Sequence, residues 1–273
     1  MKTLPREDHH SVQLLYEASG FRFPLIEAVI GNVQRGAIFV DRLRDPQAAL
    51  VVIPAGFACM LGAAADTDSA FNRDIAGLLQ SGLAGGPDYL LWYAPPQYWQ
   101  AWLGHFPPEV VRVRERIRLL FGEGNPGSPA KAQLPSGLKL NVLDRDLIPR
   151  ADSLGLKLAS RFWSSVDDFL ENSFGFAVTG ATGEVVSACY AAGIAGGLAE
   201  VDVATLESHR GQGLASHASH AFIHECLRRG LKPAWDCFAA NEGSVRLAHR
   251  LGFAESSRYP FHTFKLPLPD RPS

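Results

Sequence analysis

The sequence predicts an α/β protein of the α+β type, in which a smaller α/β domain precedes a domain built on a mixed, mainly antiparallel central sheet. Three observations support this prediction. The chain has 273 residues, enough for two domains of ordinary size. Glycine and proline crowd the stretch 122–137, near the middle of the chain. After that stretch, three strand-like segments precede a glycine-rich loop, and a helix, a strand and a second helix follow the loop.

These changes in composition predict the domain boundaries. We expect an N-terminal α/β domain over residues 1–121 and a linker over 122–137, because glycine and proline at this density prevent a regular helix or strand. The second domain is predicted over 138–266, with a loose tail over 267–273. The sequence indicates no role for the N-terminal domain.

Apolar patterns predict the elements of the N-terminal domain. An apolar residue at every third or fourth position, behind several possible capping residues, predicts a helix over 67–83. Aromatic residues four apart predict a short helix over 97–106. Alternating valine and arginine predict a half-exposed strand over 110–121. Short apolar runs bounded by Asp, Pro or Gly predict strands at 37–40, 48–53, 57–61 and 89–93.

The C-terminal domain has stronger signals. Ser165 and Asp168 form a capping-box pattern, which predicts a helix to about Asn172. Glycine-containing turns separate the three central strands. Gly252 follows the last predicted helix, as a glycine commonly does at a helix C-terminus. The predicted strands are 138–142, 174–179, 185–192, 198–205, 234–238 and 261–266, and the other predicted helices are 212–229 and 243–251.

Charge and composition exclude several classes of function. Lys and Arg number 26 and Asp and Glu number 28, so the net charge of −2 argues against nucleic acid or an anionic membrane surface as the main partner. No apolar run approaches the ~18 residues of a membrane span, and the first residues lack a signal-peptide pattern, so we expect a cytoplasmic protein. The four cysteines are widely spaced and the histidines 217, 220 and 224 lack a metal motif, so no metal is expected.

The glycine-rich loop carries the chemistry. It connects a strand to a helix, where glycine lets the backbone approach an anion and where free N–H groups and the helix dipole favour phosphate. Arg210 adds a charged side chain, although it could instead pair with Glu207. From the residues alone, this is a cradle for phosphate or pyrophosphate, formed by Arg210, Gly211, Gln212, Gly213, Leu214, Ala215 and Ser216.

One interpretation of this cradle is a dinucleotide-binding oxidoreductase. The fingerprint G-x-G-x-x-G would then place its third glycine at Ser216, and Asp236 lies at a tolerable distance for the ribose. Against this interpretation, the strand before the loop belongs to a predicted antiparallel meander, whereas the dinucleotide fold begins a parallel sheet.

A second interpretation depends on resemblance to a family. Arg210, Gly213 and Ala215 match the R/Q-x-x-G-x-G/A signature of the GNAT acyltransferases, and Thr205 stands at the head of its T-x-x-x-x-R-G-x-G-L-A form. Residues 241–244 and 247–253 resemble the second cofactor segment of that family, and the order of elements is similar as well. The resemblance covers about 138–264 and implies the GNAT fold.

A narrower resemblance extends into the first half of the chain. Residues 233–236 with Asn241 and Ser244, together with residues 36–41, are similar to a two-part GNAT subgroup that includes the zwittermicin A resistance acetyltransferase.

The GNAT resemblance implies an N-acetyltransferase that uses acetyl-CoA as acyl donor. The amine of a small molecule would attack the thioester directly in a ternary complex. Glu200 is then the candidate base and Asp202 its partner, because residues two apart on a strand face the same side. Ser244 is the candidate proton donor. The implied contacts to acetyl-CoA are Val203, through its backbone N–H, with Ala204, Thr205, the cradle residues, Asn241 and Ser244.

Other interpretations of these residues stay open. Glu200 and Asp202 could form the polar face of an exposed strand, and Asn241 or Ser244 could cap a helix. Ala248 occupies the position where many GNAT proteins carry a tyrosine acid, so a non-catalytic acyl-CoA-binding protein is an alternative to the enzyme. The sequence decides neither between monomer and homodimer nor between acetyl-CoA and longer acyl-CoAs.

Overall fold

The computed structural model describes residues 1–62, 69–82, 89–94, 96–104, 106, 109–122, 133–155 and 157–265. The chain divides into two compact units, the first comprising Met1–Glu115 and Pro260–Ser273 and the second Arg116–Tyr259. The prediction placed residues 260–266 in the second domain instead. Most of the predicted linker and the whole predicted tail lie outside the described residues.

The first unit combines helices with a mainly antiparallel sheet. Its strands follow the order β1-β2-β3-β4-β5-β12, and β4 pairs with β5 in parallel. The end of β12 belongs here because His262–Lys265 pairs with β5. The strands are β1 (Lys2–Thr3), β2 (Ala37–Val40), β3 (Ala48–Val52), β4 (Phe57–Gly62), β5 (Tyr89–Tyr93) and β12 (Phe253–Lys265), and the helices are α1 (Gln13–Ala18), α2 (Pro24–Ile30), α3 (Ala70–Ser81) and α4 (Pro96–Leu103).

Helix boundaries in this unit follow local capping chemistry. The side chain of Ser69 accepts a hydrogen bond from the Asn72 N–H, which begins α3 three residues later than predicted. Gly82 follows the helix with φ of +74°. Trp92, Trp99 and Trp102 lie in the hydrophobic core of the unit, as the spacing of the aromatic residues favours.

The second unit has the predicted mixed sheet, so the predicted fold class is confirmed. Its strands follow the order β6-β11-β10-β9-β8-β7, antiparallel among the described residues except where β10 meets β11. The strands are β6 (Val111–Phe121), β7 (Lys139–Val142), β8 (Gly175–Thr179), β9 (Val185–Ala195), β10 (Leu198–Thr205) and β11 (Lys232–Phe238), and the helices are α5 (Leu147–Arg150), α6 (Leu158–Arg161), α7 (Val166–Asn172), α8 (Leu214–Arg228) and α9 (Glu242–Arg250).

The two faces of this sheet differ in chemistry. Ala199 and Val201 of β10 share a hydrophobic core with Ala218 and Phe222 of α8. Because side chains alternate along a strand, the even-numbered residues of β10 face the opposite side. A register shift between β9 and β10 at Glu200 is taken up by an extra residue on β9, so the alternation along β10 is preserved.

The strand β6 is more buried than predicted. Val111 is buried, but residues 112–115 are exposed, as the Val/Arg alternation suggested, and Val113 is 62% exposed. From position 116 onwards nearly every residue is buried, including two arginines. The prediction of a half-exposed strand is therefore wrong for this half, because β11 covers its edge and charged partners cover its polar face.

No helix among the described residues has the length and apolar character needed to cross a membrane.

Candidate functional site

The strands β10 and β11 separate after a short parallel pairing. Leu198, Ala199 and Glu200 pair with residues 232–234, and no further pair joins the two strands. Beyond this point β11 remains paired with β6 on its other side. The edge of β10 that faces β11 is therefore unpaired from position 201 onwards, and its backbone groups are available to a ligand.

The hydrogen-bond pattern identifies which amides face this open edge. The N–H of Leu206 donates to Val186 O on the β9 side over 2.9 Å. In an antiparallel pair, alternate residues point their N–H groups toward the partner strand. The amides of Asp202 and Ala204 therefore face β9, and the amide of Val203 faces the open edge.

The glycine-rich loop has the geometry of an anion site. Gly211 and Gly213 adopt φ of +79° and +77°, and Gly213 directly precedes α8. The N–H groups of residues 211–215 donate to no backbone or side-chain acceptor within the described part of the chain. Five free amides at the positive end of a 15-residue helix form a site for phosphate. The predicted α8 began at 212, but the left-handed Gly213 delays its start to Leu214.

Arg210 projects beside these amides. Its side chain is 67% exposed, and its nearest recorded acidic partner is Glu207, with Nη1 and Oε1 3.9 Å apart. That separation is too long for a hydrogen bond but within ion-pair range, so Arg210 and Glu207 form a loose, exposed ion pair.

Glu200 is buried on the polar face of the sheet. Its side chain belongs to a residue only 4% exposed, and its carboxylate accepts no hydrogen bond from any residue that the structure describes. Burial raises the pKa of Glu200 to about 8, opposed by the positive charge of Arg118. A carboxyl group that changes charge near neutral pH suits general base chemistry.

Asp202 lies on the same face but has partners. It accepts a hydrogen bond from the Tyr190 hydroxyl over 2.6 Å, and Nη1 of Arg161 lies 3.5 Å from the same carboxylate oxygen. Burial, followed by the charge of Asp202, raises the pKa of Tyr190 well above its ordinary value, so Tyr190 remains a donor. Two-residue spacing thus brings Glu200 and Asp202 to one face, as predicted, although only Asp202 is held by neighbours.

A buried cluster of ion pairs lies close to Glu200, and the sequence interpretation missed it. Arg116 Nε lies 2.5 Å from Asp236 Oδ1, and Arg118 Nε and Nη2 lie 3.1 and 3.0 Å from Oδ2. The Tyr259 hydroxyl donates to Oδ2 as well. The alternation of arginine and apolar residues in β6 was the available signal, but it suggested solvent exposure. Because both carboxylate oxygens of Asp236 bind arginines, Asp236 is not available to bind a ribose, as the dinucleotide interpretation required.

Asn241 and Ser244 lie at the start of α9. The Asn241 side chain caps the helix by accepting from the Ser244 N–H over 3.2 Å, so the capping interpretation holds for Asn241. The Ser244 hydroxyl accepts from Trp235 Nε1 over 2.9 Å. Because Trp235 faces the hydrophobic core, Ser244 lies on the side of the sheet opposite to Glu200 and Asp202.

The position of the expected tyrosine acid is fully buried. Ala248 is 0% exposed and packs in the core with Leu247 and Leu251. The described residues contain no group of three or more His, Cys, Asp or Glu side chains that could hold a metal ion.

Comparisons with known proteins find similarity over most of the chain. Residues 20–262 match the sequence model of the family described as GNAT acetyltransferase. A Bacillus subtilis (strain 168) protein described as the uncharacterized N-acetyltransferase YdfB is 26% identical over 263 residues, which is 96% of this chain and 98% of the relative.

Solved structures share the fold over nearly the whole chain. A GCN5-related N-acetyltransferase-like protein from Streptococcus suis 89/1591 matches with a TM-score of 0.75 and 23% identity, over 94% of this chain and 98% of its own. A tandem GNAT protein from the clavulanic acid biosynthesis pathway matches with a TM-score of 0.63 and 15% identity, over 96% and 97% of the two chains. Both likenesses show a shared fold.

Proposed function

Because the chain belongs to the GNAT acetyltransferase family and is an N-acetyltransferase, we propose that it moves an acetyl group from acetyl-CoA to the amine of a small molecule. The reaction is direct attack of the amine on the thioester while both substrates are bound. The four cysteines are buried and free, which suits a reducing cytoplasm, where we propose that the enzyme works.

The cradle holds the pyrophosphate of the donor. The amides of residues 211–215, which donate to no acceptor among the described residues, can donate to phosphate oxygens, and Arg210 adds a positive charge beside them. The donor then follows the unpaired edge of β10, past Thr205 and Ala204. The Val203 N–H donates to the thioester carbonyl and stabilises the negative charge that develops on its oxygen. Asn241 and Ser244 contribute from the start of α9.

Glu200 removes the proton from the attacking amine. As the nitrogen forms its bond to the carbonyl carbon, the Glu200 carboxylate accepts the amine proton, directly or through water. The carbon–sulfur bond then breaks, and the leaving thiolate is protonated. Ser244 could pass a proton to the thiolate only while its hydroxyl takes one from solvent, and solvent can also supply the proton directly. Asp202 assists Glu200 from the same face.

One observation carries this proposal. Glu200, whose carboxylate has no hydrogen-bond partner among the described residues, stands where β10 and β11 part. Three residues later on the same strand, the Val203 amide faces the edge that this separation opens. The proposed base and the proposed carbonyl donor therefore lie on one strand, which leads into the cradle.

Titration calorimetry and a thiol-release assay test the proposal together. We expect acetyl-CoA to bind, NADH not to bind, and at least one amine of a chemically diverse panel to release free CoA. Glu200→Gln should keep acetyl-CoA affinity and lower kcat by roughly 10²–10⁴-fold. Glu255→Gln, on an exposed part of β12, is the matched control and should not change the rate.

The buried Ala248 favours one alternative, a non-catalytic protein that binds acyl-CoA. Binding of acetyl-CoA without turnover of any amine would support it. Absence of acetyl-CoA binding would contradict both the N-acetyltransferase and the non-catalytic acyl-CoA-binding protein. A preference for NADH would favour the oxidoreductase interpretation.

A further inference from the structure

Among the described side chains that bond to Asp236, two carry a positive charge. Two guanidinium groups, those of Arg116 and Arg118, converge on one carboxylate, and their side chains are 7% and 6% exposed. The Asp236 side chain is fully buried, and Tyr259 supplies a further donor without a charge. Buried charges require compensation, so the surplus positive charge favours a second carboxylate nearby.

Glu200 is placed to be that carboxylate. In the parallel pairing Glu200 lies beside Ala234, and in the antiparallel pairing Asp236 lies beside Arg118. Residues two apart on β11 face the same side, so Glu200, Asp236 and Arg118 share one face of the sheet. Burial raises the pKa of Glu200, the positive charge of Arg118 lowers it, and the negative charge of Asp236 raises it.

We propose that Arg118, held in place by Asp236, is a positioning residue that supplies the counter-charge for Glu200 and thereby sets the pH at which the base becomes active. This inference rests on the proposed role of Glu200 as base. Asp236 has two effects: it orients the Arg118 guanidinium, and its own charge offsets part of the surplus. The pKa of Glu200, raised by burial, would be higher still without Arg118.

Other charged groups face this region from several elements. Arg116 comes from β6, Asp202 from β10 itself and Tyr190 from β9. Arg161 of α6 pairs with Asp202, and Tyr259 of β12 donates to Asp236. Asp202 already shares its charge with Arg161 and Tyr190, whereas Arg118 lies on the same face of the sheet as Glu200.

Three variants change the cluster charge in different directions. Arg118→Met removes one positive charge and should move the acid limb of the kcat/KM profile to higher pH by about one pH unit or more. Asp236→Asn removes one negative charge but keeps an amide oxygen that can accept from Arg118, so the acid limb should move to lower pH. The double variant restores the original charge difference, so its acid limb should return toward that of the wild-type enzyme.

Two controls separate this effect from damage to the fold. Arg118→Lys keeps the charge, so the acid limb of its kcat/KM profile should stay within a few tenths of a pH unit of the wild-type position. Arg145→Gln removes an arginine from an exposed ion pair with Asp167 and should leave the acid limb unchanged. If the cluster had a purely structural role, the variants would lower kcat/KM by the same factor at every pH. Shifts of the acid limb in the same direction for Arg118→Met and Asp236→Asn would overturn the proposal.

A measurement without turnover distinguishes this proposal from the proposed function. Carbon-13 NMR of labelled glutamate, assigned with Glu200→Gln, follows the titration of the Glu200 carboxyl in each folded variant. Opposite shifts for Arg118→Met and Asp236→Asn support the counter-charge even if no amine is acetylated. An unmoved titration overturns it even if the enzyme is active.

Discussion

The Tyr190 hydroxyl donates to Asp202 Oδ2 over 2.6 Å, across the antiparallel pair of β9 and β10. Tyr190→Phe removes this hydrogen bond and leaves the aromatic packing. Because hydrogen bonds to charged groups are among the stronger ones, we expect the free energy of unfolding to fall by about 1–2 kcal/mol in denaturant titrations at neutral pH. Equal stability of the two proteins would show that water replaces the hydroxyl without loss.

Glu200 should make the protein less stable as pH rises. Its pKa is raised to about 8 in the folded chain, whereas an unfolded chain has the ordinary value near 4.5. Between these values the folded state binds the extra proton, so the stability that this proton confers is complete below the lower value and is lost as pH rises through the upper.

Glu200→Gln removes this dependence. In urea titrations at pH 5 and pH 8, we expect the variant to gain stability relative to the wild-type protein as pH rises. Between pH 5 and pH 8 the gain should approach, without exceeding, about 1.4 kcal/mol for each pH unit. A stability difference that stays constant between the two pH values would contradict the raised pKa.

The left-handed Gly213 should tolerate no side chain without strain. A Cβ at this position would meet no atom within 4 Å, so the cost of Gly213→Ala comes from its φ of +77° and not from a clash. We expect the free energy of unfolding to fall by about 1 kcal/mol and acetyl-CoA to bind more weakly. Gly77→Ala in α3 is the matched control, since its Cβ also meets nothing and helical backbone favours alanine by about 0.5–1 kcal/mol.

Arg210 should contribute to donor binding mainly through charge. Its side chain is exposed, so salt screens its interaction with phosphate. We expect Arg210→Gln to weaken acetyl-CoA binding about twofold to fivefold in low salt, with the difference nearly lost at 1 M salt in calorimetric titrations. A difference that persists at high salt would indicate a buried, geometry-dependent contact instead.

Ser244 should affect stability more than rate. Ser244→Ala leaves the buried Trp235 Nε1 without its acceptor, which should lower the free energy of unfolding by about 1–3 kcal/mol. We expect kcat to fall less than tenfold, because a CoA thiolate leaves fairly readily and solvent can protonate it. Ser244→Thr keeps a hydroxyl and should recover the rate. A loss of several hundredfold with Ser244→Ala would make this hydroxyl the required proton source.

Short-range chemistry explains what the sequence could predict. The cradle depends on consecutive residues, so the glycines of positions 211 and 213 and the helix after them could be read directly. The face shared by Glu200 and Asp202 follows from two-residue alternation on a single strand. Ser165 caps α7 as its pattern predicts, with its side chain accepting from the Asp168 N–H.

Long-range pairing explains what the sequence could not predict. Arg116 and Arg118 are separated from Asp236 by more than a hundred residues, and only the β6–β11 register brings them together. Arginines in an alternating strand usually face water, so this pattern alone indicated exposure. The sequence also did not predict the first half of β12, because this polar segment lacks the apolar run that identifies a buried strand.

The discontinuous first unit has a consequence for synthesis on the ribosome. The strand β5 is complete early, but its partner residues His262–Lys265 emerge only after the whole second unit has been translated. Until then, one edge of β5 is unpaired and exposed to other nascent chains. A messenger RNA that ends directly after the codon for Tyr259 encodes the whole second unit but lacks these partner residues. The chains made from it should therefore aggregate, or recruit chaperones, through the first unit.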